Sequence, residues 1–143
     1  MKQATSSDNA AFRIGPHWAQ QQGPILFFRP EGIITLSDNQ ALFEHMERIK
    51  LEQGRVYILL DASHNAKQDP AGRTWGAKNV NDANRPSAVA IFGASFHSRV
   101  LVTLFSRAAN TIVKHPVPLE FFSNEGEARD FLALKDEASG RGH

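Results

Sequence analysis

Two five-residue runs, Val56 to Leu60 and Ala88 to Phe92, are apolar at every position. An unbroken run of that length predicts a strand covered on both faces, since a strand with one wet face would alternate. Phe12 to Gln20 and Ile25 to Pro30 predict an N-terminal hairpin folded at Gln22-Gly23-Pro24. Leu42, Phe43, Met46 and Ile49 then recur at helical spacing. Ser37 and Gln40 suit a capping box ahead of them, and Gly54 ends the helix. Asp69 to about Asn84 predicts a weaker helix before Pro86, with Ala71, Trp75 and Val80 facing inward. Gly72 and Gly76 each cost it roughly 1 kcal/mol against alanine. Ser95 caps a further helix to about Thr111, on which Val100, Leu101, Leu104, Phe105, Ala108 and Ile112 share one broad face. Val117 to Phe122 is another strand. Asn124 and Glu127 open a last helix that turns Ala128, Phe131 and Leu132 inward.

The resulting order, β-β-α-β-α-β-α-β-α, predicts an α/β fold. An N-terminal β-hairpin feeds a mixed, mostly parallel sheet of about five strands, packed by about four helices. Residues 11–135 are expected to form one domain, between a flexible N-terminus (1–10) and a flexible C-terminal tail (136–143). In a parallel sheet the segments that follow the strands emerge at one carboxyl edge. Asp61, Ser63, His64, Asp69, Ser95 and His97 are therefore expected along a common rim.

Composition narrows the classes of function. A chain of 143 residues can build a single core without staples, and it contains no cysteine, which excludes disulfides, thiol nucleophiles and thiolate metal sites. Sixteen basic residues face fifteen acidic ones, so no long-range field for nucleic acid or anionic lipid is expected. No apolar run approaches the ~20 residues of a membrane span, and Met1 to Ala10 lacks the apolar stretch of a signal peptide. A cytoplasmic location follows as the expectation. The six histidines show no metal-ligand spacing, and no glycine-rich phosphate loop is present, so neither a metal nor a cofactor is expected.

Beyond this order, particular residues resemble the STAS domain, the fold of bacterial anti-sigma-factor antagonists. In that family a strand ends in Asp, and eight residues later Asp-Ser-Ser-Gly begins a helix. Here Asp61 stands at the strand end and Asp69-Pro70-Ala71-Gly72 at that spacing. Val89 to Ser95, with Arg99 after it, and Phe121 to Leu132 look like the corresponding strands and closing helix of a STAS-like group of uncharacterised bacterial proteins. The likeness covers roughly residues 11–135 and implies a regulatory domain acting through protein contacts. The family's regulatory phosphate goes on the second serine of its motif, which here is Ala71. Alanine has no hydroxyl to accept it. Asp69 is then expected to cap the helix with its own carboxylate, with Pro70 setting the first turn.

The rim residues admit two readings. His64 near two carboxylates could act as a general base. Alternatively Asp61 and Asp69 hold loop amides while His64 is solvated, and the lack of a nucleophile motif or oxyanion arrangement favours this second reading. His97 either lines a pocket or is a core histidine bonded to backbone. Phe96, Val102, Phe105 and Ala109 form a candidate patch for a protein contact or a homodimer. A non-enzymatic STAS-like protein-binding module is thus the leading expectation. The alternative is a small-molecule or lipid-binding domain of Sec14-like layout, with Phe27, Phe28, Phe43, Phe96, Phe105, Phe121 and Phe122 lining a cavity. No catalytic residue is assigned and no stable membrane insertion is expected.

Overall fold

The structure, a computed structural model, describes residues 10–95 and 117–140. Eight strands and three helices occur among the described residues. β1 (Ala11–Ile14), β2 (His17–Gln22) and β3 (Ile25–Arg29) form an antiparallel meander. β4 (Ile33–Ile34) leads into α1 (Leu36–Gln53), and β5 (Tyr57–Asp61) follows. β6 (Lys67–Gln68) precedes α2 (Pro70–Asn79), then come β7 (Ala88–Phe92), β8 (Leu119–Phe122) and α3 (Glu125–Gly140). The main sheet has the order β1-β2-β3-β5-β7-β8, and β3, β5, β7 and β8 all run parallel. A mixed, mostly parallel α/β sheet is the observed fold class.

The hairpin differs from its expectation. Gly15-Pro16 splits the stretch 12–20 into two strands, just as Gly23-Pro24 splits β2 from β3. Both glycines have positive φ, 59° and 61°. A two-residue turn opened by such a glycine matches the twist of its flanking strands. The sheet accordingly has one strand more than expected.

Two cores lie on opposite faces of the sheet. Leu26, Phe28, Val56 and Ile58 pack with Leu42, Met46 and Ile49 of α1. Phe27, Tyr57, Leu59, Ala88 and Ala90 pack with Ala128 and Leu132 of α3. Successive strand residues point to opposite faces, so the unbroken apolar runs fill both cores.

The helices also start and stop differently. Thr35, not Ser37, caps α1: its hydroxyl accepts the Asp38 N–H at 3.1 Å, and Asp38 Oδ2 accepts the Thr35 N–H at 3.0 Å. Gly54 ends α1 in the left-handed region as expected. α2 stops at Asn79 instead of Asn84, because Asn81 and Asn84 close a turn of their own. Asn81 Oδ1 accepts the Ala83 and Asn84 amides, and Asn84 Nδ2 donates to the Asn79 carbonyl at 3.1 Å. In α3, Asn124 Oδ1 accepts the Glu127 amide at 2.9 Å as expected of an N-cap. The helix runs past residue 135, where the sequence reading ended the domain. Arg55 and the Tyr57 hydroxyl both donate to Asp136, the latter at 3.0 Å. The expected helix from Ser95 to Thr111, with its apolar face, lies outside the described residues.

α2 is rotated relative to its predicted wheel. Ala71 is exposed and Gly72 is the buried residue of its first turn. A Cβ on Gly72 would lie 2.5 Å from Asn39 Nδ2 and 3.2 Å from the Thr35 carbonyl. Glycine here permits the close approach of α2 to α1. One turn later a Cβ on Gly76 would meet only the Phe43 ring at 3.6 Å, an ordinary contact. Phe43 in turn packs on Trp75 with ring centroids 4.9 Å apart. Gly72→Ala is therefore expected to destabilise by about 1–3 kcal/mol through overpacking. Gly76→Ala should stabilise by about 0.5–1 kcal/mol through helix propensity. Urea midpoints of the two variants test the contrast, and a rise in both would refute the close approach.

Candidate functional site

Parallel pairing of β3, β5 and β7 brings the segments after them to one edge of the sheet. There the loop after β3 and the loop after β5 are joined by a small parallel sheet of β4 and β6, which the sequence reading did not contain. Gly32 N–H donates to the His64 carbonyl at 3.2 Å, Lys67 N–H to the Gly32 carbonyl at 3.0 Å, and Asp69 N–H to the Ile34 carbonyl at 3.0 Å. Asn39 Nδ2 extends this joint, donating to the Thr35 carbonyl and to Gln68 Oε1, both at 2.9 Å.

Two side-chain pairs are made along this rim, Asp61 with Ser63 and His64 with Glu31. Asp61 Oδ1 accepts the Ser63 amide at 3.0 Å and the Ser63 hydroxyl at 2.6 Å. Ala62 N–H reaches the Phe92 carbonyl at 2.8 Å, and Gly93 with φ 78° passes so close that a Cβ would lie 3.0 Å from Ser63 Cβ. His64 is exposed, with Nδ1 3.4 Å from Glu31 Oε1. Its partner is a carboxylate that the sequence reading did not single out, carried by the other loop. Asp69 occupies the N-cap position of α2, but its carboxylate makes no capping bond, contrary to expectation. Its backbone does the work instead, with its carbonyl accepting the Arg73 amide at 2.9 Å. Ser95 is exposed and follows β7 on the same edge. His97, Phe96, Val102, Phe105 and Ala109 lie outside the described residues.

Beneath the rim sits a polar network that patterning alone did not reveal. His17 on β2 is fully buried. Its Nδ1 accepts the Glu31 amide at 2.8 Å, so the ring proton sits on Nε2 and is donated to Asp38 Oδ2, also at 2.8 Å. Burial would raise the Asp38 carboxyl. The bonds from the Thr35 amide, His17 and the Thr35 side chain outweigh that and hold it below its ordinary 3.8. Gly15 is also required here, because a Cβ would overlap Asp38 Oδ1. The signal available in the sequence was Thr35-x-x-Asp38, a second capping box overlapping Ser37-x-x-Gln40. At the opposite edge, bonds from Arg55, against the effect of burial, and from Tyr57 lower the Asp136 carboxyl. Burial, together with the bond to Asp136 and its charge, pushes the Tyr57 phenol up to about 12.

A family described as SpoIIAA-like matches residues 25–133, well over half of the chain. The chain belongs to the SpoIIAA-like family. It is accordingly a STAS-like domain, and the region matched runs from β3 into the third turn of α3, with the whole rim inside it. No curated protein and no solved structure matches the chain. In this SpoIIAA-like domain Ala71 stands exposed on the first turn of α2, two residues after Asp69. Among the described residues no group of three or more His, Cys, Asp or Glu side chains is arranged to hold a metal ion. No helix among them is long and apolar enough to cross a membrane. Of the phenylalanines considered as cavity lining, Phe27 and Phe28 are core residues, and Phe122 packs on Phe131 at 5.2 Å.

Asp38→Ala would leave the buried His17 Nε2–H without its acceptor and remove the carboxylate half of the capping box of α1. The expected cost is about 2–4 kcal/mol in urea denaturation at neutral pH. A carboxyl whose folded value lies below its unfolded 3.8 contributes stability above that pH and loses it as the pH falls through the folded value. Wild-type stability should therefore drop as pH is lowered below about 4, with a shallower slope in Asp38→Ala. Identical slopes would show that Asp38 is not held as described.

Proposed function

We propose that this STAS-like domain is a non-enzymatic regulatory module that offers its carboxyl rim to a protein partner in the cytoplasm, without a phospho-switch at position 71. The observation that carries the reading is Ala71 itself. It occupies an exposed first turn of a helix, where a phosphate would gain from free amides, yet it offers no hydroxyl. Ile33 supports the contact role: it is 58% exposed on β4, beside Glu31 and the loop that carries His64. An apolar side chain at such a place suits burial against a partner.

The bonding of the rim favours contact over chemistry. Ser63 donates to Asp61 while His64 faces Glu31, so the imidazole is not aligned to take the serine proton. Asp61, which the catalytic reading would set beside His64, is occupied in holding the loop amide. Exposed elements on which recognition can draw include Ile33, His64 and the first turn of α2.

Immobilised wild-type domain should retain a specific protein from an extract of native cells. Ile33→Glu, His64→Ala and Ala71→Glu should each reduce that capture, with Ala71→Glu imposing charge where the family places phosphate. Glu120→Ala, exposed on β8, serves as the control that keeps it. Capture unchanged in all three rim variants would refute the rim as the contact surface.

A further inference from the structure

The outer groove between α1 and α2 forms a cleft of about 370 Å³, one to three turns along the helices from the rim. Its apolar wall is the Phe43 and Trp75 ring pair, tilted by 59°. Gln40, Glu44 and Glu47 line it from α1, spaced so that they share a face with Phe43. Asn79 and the turn beyond it complete the other side.

The charge of this lining is lopsided, since among its described residues the charged ones are Glu44 and Glu47. Each asparagine amide spends one N–H on a backbone carbonyl. Asn79 Nδ2 donates to the Trp75 carbonyl at 2.8 Å, Asn81 Nδ2 to the Asn79 carbonyl at 3.4 Å, and Asn84 Nδ2 to the same carbonyl at 3.1 Å. Asn81 Oδ1 and Asn84 Oδ1 are taken up by backbone amides of the turn. Open to a ligand are the Glu44 and Glu47 carboxylates and Asn79 Oδ1, beside the Gln40 amide and the Trp75 indole. None of these has a hydrogen bond or salt bridge among the described residues. Nearby cations on α1 are engaged elsewhere. Arg48 binds Gln21 and Glu52, and Lys50 donates to the Asp82 and Arg85 carbonyls at 2.6 and 3.1 Å. Lys78 is exposed but does not line the cleft.

Two unpaired carboxylates beside aromatic faces favour a cationic ligand that donates hydrogen bonds. An anion would meet two carboxylates, and a neutral hydroxyl or amide would leave their charge unpaired. A guanidinium offers five N–H groups in a plane that can lie on an indole face. We propose that the α1–α2 cleft binds an arginine side chain of a protein partner. This deepens the protein-binding reading and depends on it only for the partner being a protein.

The test is titration of the ¹⁵N-labelled domain with acetyl-Ala-Arg-Ala-amide, with the glutamine and lysine analogues as comparison. The Trp75 indole N–H and the Gln40 side-chain amide are expected to shift saturably with the arginine peptide, at millimolar concentration, and not with the glutamine peptide. Glu44→Gln combined with Glu47→Gln, both exposed positions, should weaken binding about tenfold and leave the rest of the spectrum in place. Equal shifts with the glutamine peptide, no saturation, or unchanged affinity in the double variant would overturn the proposal. A lysine peptide binding as well as the arginine one would overturn the guanidinium assignment. Ile33, His64 and Ala71 do not line the cleft, so failure here leaves the rim test unaffected and the reverse also holds.

Discussion

A buried imidazole held between a carboxylate and a backbone amide governs the geometry of the rim. His17 comes from the antiparallel meander, Asp38 from the first turn of α1, and the Glu31 amide from the loop after β3. Three segments distant in sequence are thereby fixed to one ring. Polar groups this deep are tolerated only when each is bonded. Here both ring nitrogens are satisfied and Asp38 Oδ2 also receives the Thr35 amide. The consequence travels outward. A fixed loop at 31–34 aligns β4, β4 pairs with β6, and that pairing sets where His64 and the start of α2 emerge.

Close packing of the two outer helices is the second constraint. Gly72 lets α2 approach α1 at Thr35, Leu36 and Asn39, and this rotates Ala71 toward solvent. The same approach sets Trp75 against Phe43 and so creates the cleft between the helices. One glycine therefore bears on both surfaces proposed for recognition, the rim and the cleft, although they share no lining residue. At the far edge of the sheet, Arg55 and Tyr57 secure α3 through Asp136, which keeps the closing helix on the second core.

Membership of the SpoIIAA-like family and the arrangement of the rim bear on function in different ways. The family describes a type of domain. The rim describes what this chain can offer: an exposed isoleucine, a histidine paired across two loops, and an exposed alanine on the first turn of α2. Among its polar groups, Asp61 and Ser63 are committed to one another, which fixes the start of the loop after β5.

The strands and their carboxyl edge were legible in the sequence because burial on both faces demands unbroken apolar runs, and runs are local. The last helix was legible at its start for a similar reason, since Asn124 and Glu127 meet within one turn. Gly15-Pro16 carried the same turn signal as Gly23-Pro24 but was absorbed into a longer strand. Between two overlapping capping boxes the choice fell to Thr35 and Asp38, since His17, twenty-one residues away, bonds the Asp38 carboxylate. The two-residue strands at the rim carry no periodicity at all, and the rotation of α2 depends on the helix beside it. The sequence by itself determined which segments are extended, which are helical and which end of the sheet carries the loops. Only the tertiary structure decided which polar groups meet, because hydrogen-bond partners are set by distances between segments that no local pattern records.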